Sequence, residues 1–281
     1  MAKKKLPEPV VESLAVAVPP ERAWEALTSA RVMGDIVMGH VEMDTRPGHS
    51  FVWDWGVWAK CAPGRADYAW RGTILDSVPG STLVLSGGPM TAVFTVKGAR
   101  DSSLITVVQP SIPPRTKIED FQHGWADFLL KLKTLLERPA HAENTYWRAL
   151  VRAKPAEILR AWLSPTAVSK ILPGKAKIQA KPGGRFEWRW KHPEGAVDSG
   201  TLLEIVKGHR VSATWESTKP PSEVRFAAEQ TPYGALVSLE HMGVHHDLLA
   251  GPERGSYGRM WSHLLERLRV YFFYGKKIRA S

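Results

Sequence analysis

The stretch Lys181–Glu216, KPGGRFEWRWKHPEGAVDSGTLLEIVKGHRVSATWE, reads as three consecutive β-strands. Phe186, Trp188 and Trp190 alternate with Glu187, Arg189 and Lys191, and a period of two puts the rings on one face and the charges on the other. Pro182-Gly183-Gly184 supplies the turn before the first strand, and Lys207-Gly208-His209 separates the second from the third. Val211, Ala213 and Trp215 repeat the alternation.

The same pattern occurs earlier in the chain. Pro47-Gly48 matches Pro182-Gly183, and Phe51, Trp53 and Trp55 match Phe186, Trp188 and Trp190 at one constant offset. Gly72-Thr73, Leu75, Val78 and Gly80 match Gly200-Thr201, Leu203, Val206 and Gly208 at a shorter offset, so the first copy has the longer loop, within Gly56–Tyr68. Trp125, Leu129 and Leu132 match Trp261, Leu265 and Leu268. Turn glycines and inward aromatics repeated in one order identify a tandem duplication, with domains expected over 10–138 and 145–276 and a linker at Pro139–Asn144.

Within each copy the predicted elements run in the same order. A strand (Val10–Val18; Tyr146–Ala153) precedes two short helices, the first opening on a proline (Pro20; Pro155). Antiparallel strands follow, one of them read as Ser50–Trp58 in the first copy. In the second copy the three strands quoted above come directly after a helical turn ending at Pro173-Gly174. Each copy closes on a long amphipathic helix, Ile118–Glu137 and Tyr257–Tyr274, with apolar residues at three- and four-residue steps. This order predicts an α+β fold of two tandem helix-grip domains, each a curved antiparallel sheet wrapped on its C-terminal helix. Such grips commonly leave an apolar cavity between sheet and helix.

Composition bounds the partners. At 281 residues each copy can bury its own core without disulfides or metal. The single cysteine, Cys61, forms no intramolecular bridge and is expected as a surface or half-buried loop thiol; together with the lack of an apolar run of membrane or signal length, it points to the cytoplasm. The net charge of +10 is uneven: 16 Lys and Arg against 15 Asp and Glu in residues 1–140, but 22 against 13 in 141–281. The basic residues of the second half mostly alternate along strands, which suits a solvated sheet face and not a nucleic-acid surface.

RPGHSFVWDW, KPGGRFEWRW, SGTLLEIVKGHRVSATWE, LVSLEHMG and GWADFLLKLKTLLE resemble the SRPBCC proteins of the START-like, birch-pollen-allergen-like superfamily. More narrowly they resemble the group of homologues of the activator of the heat-shock-protein-90 ATPase. The second copy matches better. In the first, His49 replaces a glycine, Ser86-Gly87-Gly88 stands where Trp-Glu would, and Gln109-Pro110 replaces the histidine turn. The resemblance implies a hydrophobic cavity in each copy and admits passive binders, polyketide cyclase or aromatase-like enzymes, and modules acting on a chaperone ATPase. The Asn-rich, Trp-His motif that goes with the chaperone role is missing from the sequence.

Candidate ligand-binding residues are Trp53, Trp55, Trp188, Trp190, Trp215, His241 and Trp261. The tryptophans suit stacking on a flat ligand, or core packing. His241 shares strand parity with Val237 and Leu239 and faces inward, as a general base or as a structural hydrogen-bond partner. His241, His245, His246 and Asp247 have a zinc-like spacing, but Gly243 interrupts the helical geometry that spacing needs, so no metal is expected. No nucleophile–base set, phosphate loop or dinucleotide fingerprint occurs, and no cofactor is expected. The leading expectation is a monomeric, non-enzymatic binder of a hydrophobic small molecule, with no nucleic-acid or membrane partner, the duplication supplying a pseudo-dimer. A cyclase or dehydratase using His241 is the alternative. A module using the basic half against an acidic partner is a third, which predicts salt-sensitive binding.

Overall fold

The computed structural model describes residues 8–64, 67–113, 116–137, 145–191, 196–244 and 257–278. The expected linker Pro139–Asn144, most of the N-terminal stretch, and His245, His246 and Asp247 lie outside them. The chain divides into two compact units, one within 1–56 and 67–137, the other within 57–66 and 138–281.

The first unit is a seven-stranded antiparallel sheet with two short helices and one long one. Strand β1 (Val10–Val16) leads into α1 (Pro20–Thr28) and α2 (Ala30–Val37), then β2 (His40–Met43) and β3 (Ser50–Asp54). After α3 (Gly56–Cys61), which from Val57 on belongs to the second unit, come β4 (Ala69–Val78), β5 (Thr82–Gly87), β6 (Met90–Ala99), β7 (Ser102–Gln109) and α4 (Ile118–Leu136). The spatial order is β1-β7-β6-β5-β4-β3-β2. Pro20 opens α1 where its missing N–H costs no hydrogen bond, and Ser29 caps α2 by accepting from the Val32 N–H.

The second unit repeats the plan: β8 (Thr145–Val151), α5 (Pro155–Trp162), α6 (Pro165–Ile171), β9 (Gly174–Ile178), β10 (Arg185–Trp190), β11 (Val197–Val206), β12 (Arg210–Trp215), β13 (Ser222–Thr231), β14 (Gly234–Met242) and α7 (Tyr257–Phe273). Its order, β8-β14-β13-β12-β11-β10-β9, is the first sheet's order element for element. Gly183 takes a left-handed φ of 75° in the turn before β10, as Gly48 does (87°) before β3. Each sheet carries its terminal helix and its own core, so the α+β tandem helix-grip architecture is established.

Three expectations need correcting. The strand read as Ser50–Trp58 ends at Asp54, because Gly56 breaks it and Val57 and Cys61 then form an apolar i, i+4 face on the short helix α3. Cys61 is accordingly no loop thiol: it is buried, and the Arg267 guanidinium donates to its Sγ at 2.8 Å. An edge strand, β9, also precedes the quoted stretch and pairs with β10 from Ile178↔Phe186 to Gly174↔Trp190. Its only side chains on the ring-bearing face, Ala176 and Ile178, gave too weak an alternation to separate it from a turn.

On the outer face of the second sheet the charges pair. Arg185 meets Glu216, Arg189 meets Glu187 and Arg210 meets Glu204. These hydrogen-bonded partners hold the Glu187 and Glu204 carboxyls below their ordinary range. Among the described residues no helix is long and apolar enough to cross a membrane.

Candidate ligand-binding site

Alternation along β10 sends Phe186 and Trp188 into the second domain's core, where both are buried, with Trp190 half-buried at the end of the row. Trp215 at the end of β12 is 1% exposed and packs edge-on to Trp188, ring centroids 5.2 Å apart. Trp162 of α5 stacks on Phe226 of β13 at 4.0 Å and 5° and meets Trp188 edge-on. These rings, with Leu163, Ile178, Leu202, Val211, Ala213 and Val224, line the cavity.

The cavity is small, about 20 Å³, room for about one water. The half-buried members, Leu163 and Ile178, mark the solvent side. No residue of α7 is in the wall, so the cavity lies between the sheet and α5, not between the sheet and the terminal helix as expected. The reason is bulk: Trp261 of α7 packs against Trp215 at 4.9 Å and fills the space there.

One wall residue carries an unmet polar group. The indole N–H of Trp188 is buried without a hydrogen-bond acceptor, and that of Trp215, also buried, has the Asp198 carboxyl near it but outside hydrogen-bond geometry. Leaving such a donor unsatisfied costs about 1–3 kcal/mol, which a ligand acceptor would recover. Trp53, the counterpart of Trp188, has the same orphaned N–H in the first domain.

His241 is fully buried but outside the cavity wall. The Trp261 indole can only donate, and it donates to His241 Nδ1 at 3.0 Å. That fixes the proton of the neutral ring on Nε2, which donates to Ser222 Oγ at 2.8 Å. Ser222 in turn reaches Thr218 Oγ1 at 2.6 Å, and Thr218 donates to the Trp215 carbonyl at 3.0 Å. Burial pushes the His241 pKa from 6.5 down to about 4. With Nδ1 occupied and Nε2 protonated, the ring has no free lone pair to act as a base.

The first domain shows what this link does. There Trp125 of α4 donates its indole N–H to Gln109 Oε1 of β7 at 2.7 Å. A last-strand polar side chain accepting from a terminal-helix tryptophan is thus a fastener common to both copies, made with Gln in one and His in the other.

Asp198, which the sequence reading passed over, is the buried acid of the second core. Strand register sets it directly opposite Trp188 on the inner face, and it is 8% exposed. Trp190 donates its indole N–H to Asp198 Oδ2 at 2.6 Å, and Ser217 and the Trp215 indole approach the same carboxyl. Burial outweighs these contacts and raises its pKa. Tyr257 at the start of α7 lies half-buried beside Trp215, its own pKa raised by burial and then by the Asp198 charge.

At the matching register position of the first sheet, opposite Trp53, stands Trp70. Its indole donates to the Gly87 carbonyl at 3.1 Å, and a Cβ on Gly87 would meet Trp70 Nε1 at 2.8 Å. The first domain therefore places a ring on β4 and a glycine on β5. The second places a carboxyl on β11 and the ring, Trp215, on β12. Phe128 of α4 stacks on Trp53 at 5.7 Å and 7° to complete the first core. Of the sequence candidates, Trp188 and Trp215 lie together in the cavity wall, and Trp190 adjoins it through Asp198. Trp261 and His241 form the fastener behind, while Trp53 and Trp55 belong to the first domain's aromatic core.

The family model of Activator of Hsp90 ATPase homolog 1-like proteins matches residues 17–137 and again 152–272. No curated protein matches the sequence. Among solved structures, DynU16, a protein in the dynemicin biosynthetic locus, is 18% identical, with 94% of this chain and 96% of that one covered and a TM-score of 0.39. The di-domain ARO/CYC BexL from the BE-7585A biosynthetic pathway is 13% identical over 96% and 98%, TM-score 0.37. The Aha1 dimer from Colwellia psychrerythraea is 18% identical over 47% of this chain and 98% of that one, TM-score 0.40.

Proposed function

This chain belongs to the Activator of Hsp90 ATPase homolog 1-like family through both of its domains, and we propose that the second domain binds a small apolar or aromatic molecule among the rings facing α5. The observation that carries the reading is the cavity whose aromatic wall contains a buried indole N–H without an acceptor, that of Trp188. Apolar walls with a few unmet polar groups are the usual make-up of a ligand site. Entry requires the rings to part, since the resting space holds about one water. The ligand therefore exchanges ring–ring contacts for ring–ligand contacts.

Binding, not turnover by His241, is favoured by the occupied ring nitrogens of that residue. A planar neutral probe with an acceptor, 2-acetylnaphthalene, tests the site. Titration by tryptophan fluorescence is expected to saturate, and Trp188→Phe, which keeps a ring but removes the N–H, to weaken it by roughly fivefold to tenfold. An unchanged affinity in a folded Trp188→Phe variant would place the probe elsewhere.

A further inference from the structure

We propose that the second domain recognises an organic cation, an ammonium group on an apolar or aromatic body, with Asp198 as its counter-charge and the surrounding rings as its cage. This rests on the binding reading above and names the ligand's chemical class.

The argument starts from a carboxyl out of place. Asp198 is 8% exposed on the inner face of an aromatic core. Among the described residues no lysine, arginine or histidine comes within ion-pair distance of it. Buried carboxylates are rare unless paired, because removing the ion from water costs several kcal/mol. The fold does not require this one. The first domain has the same sheet, register and helix with Trp70 at the matching place, a neutral ring whose N–H is satisfied within the chain. An acid stands where the other copy packs a ring, and the chain meets it with neutral donors, Trp190, Ser217 and Trp215, and no opposite charge among the described residues.

The rings around it are the second observation. Trp188 lies directly across the ladder and Trp190 donates to the carboxyl. Trp215 and Tyr257 complete the enclosure, 6.4 Å apart and at 87°. Trp190 and Trp215 turn their N–H edges to the carboxyl, so the attraction for an ammonium group comes from the carboxylate, and the faces of the neighbouring rings are available to its apolar body. Trp190 and Tyr257 are the half-buried members and give the cation its approach. Trp188 and Trp215 belong to the cavity as well, so the apolar body of the ligand extends from Asp198 into it. Burial raises the Asp198 pKa, and a bound ammonium would lower it again.

The test uses the full-length protein and two probes of one shape, benzyltrimethylammonium and its uncharged carbon isostere neopentylbenzene, titrated by tryptophan fluorescence. The wild type is expected to prefer the cation by roughly tenfold. Asp198→Asn is expected to abolish that preference and leave neopentylbenzene unaffected. Equal or tighter binding of neopentylbenzene by the wild type overturns the proposal, as does a preference that survives in Asp198→Asn. In either case the apolar cavity stands. If neither probe nor 2-acetylnaphthalene binds, the cavity reading fails and this inference with it. The wild-type comparison decides even if the variant does not fold.

Discussion

His241 is an acceptor for Trp261 before it is anything else, and its surroundings make a pH prediction with a definite sign. The folded state depresses its pKa from 6.5 to about 4, so the unfolded chain takes up a proton that the folded one refuses. Its contribution is complete above pH 6.5 and is lost as pH falls towards 4, to a total on the order of 3 kcal/mol. His241→Gln reproduces the Gln109–Trp125 link of the first domain and removes that titration. In urea melts the variant's deficit at pH 7 is expected to be small, and its loss between pH 7 and 4.5 smaller than the wild type's. His263, also pushed down to about 4, still titrates in the variant and leaves part of the loss. An identical acid loss in both proteins would show that His241 is not the group responsible. Asp198 has the opposite sign. Its raised pKa means that ionisation disfavours the fold as pH rises through the folded-state value. Asp198→Asn is therefore predicted to match or exceed wild-type stability at pH 8 and to lose any advantage in acid. A variant much less stable at pH 8 would assign the carboxyl a structural duty.

Between elements, the fastener joins the last strand to the terminal helix. Trp261→Phe keeps most of the ring volume but strands His241 Nδ1 without its donor, and a buried acceptor left unsatisfied costs about 1–3 kcal/mol. Trp125→Phe does the same to Gln109 in the other domain. Denaturation monitored separately for the two domains should show each substitution lowering its own domain's midpoint. A loss confined to neither domain would contradict the local nature of the link. At this scale much was legible in the amino-acid pattern. Alternation of Phe186, Trp188 and Trp190 with charges set the inner face, and matched turn glycines and helix tryptophans set the duplication. Asp198 was equally alternating with Gly200 and Leu202, yet its meaning depends on register, and only the Trp188↔Asp198 pairing beside Trp53↔Trp70 shows that a carboxyl replaces a ring. The cavity's position was not legible either. Whether a helix tryptophan lines a space or fills it depends on packing that periodicity does not encode.

Across the molecule, one architecture has been used twice with different interiors. In the first core Trp70 is bonded to Gly87, Trp125 to Gln109 and Phe128 is stacked on Trp53, whose own N–H stays unmet. The second exchanges a ring for Asp198, keeps the Trp188 N–H unmet beside a cavity and sets α5 against it through Trp162. Each copy buries its own hydrophobic cluster, so on the proposed reading the second can bind a ligand without the first contributing to its core. The most direct measurement is the set of indole N–H resonances in a ¹⁵N–¹H correlation spectrum of the full-length protein, assigned by single Trp→Phe substitutions and recorded during addition of 2-acetylnaphthalene. The account predicts shifts at Trp188 and Trp215, with Trp70 and Trp125 unmoved. Shifts confined to the first domain's tryptophans, or none at saturating probe, would contradict it.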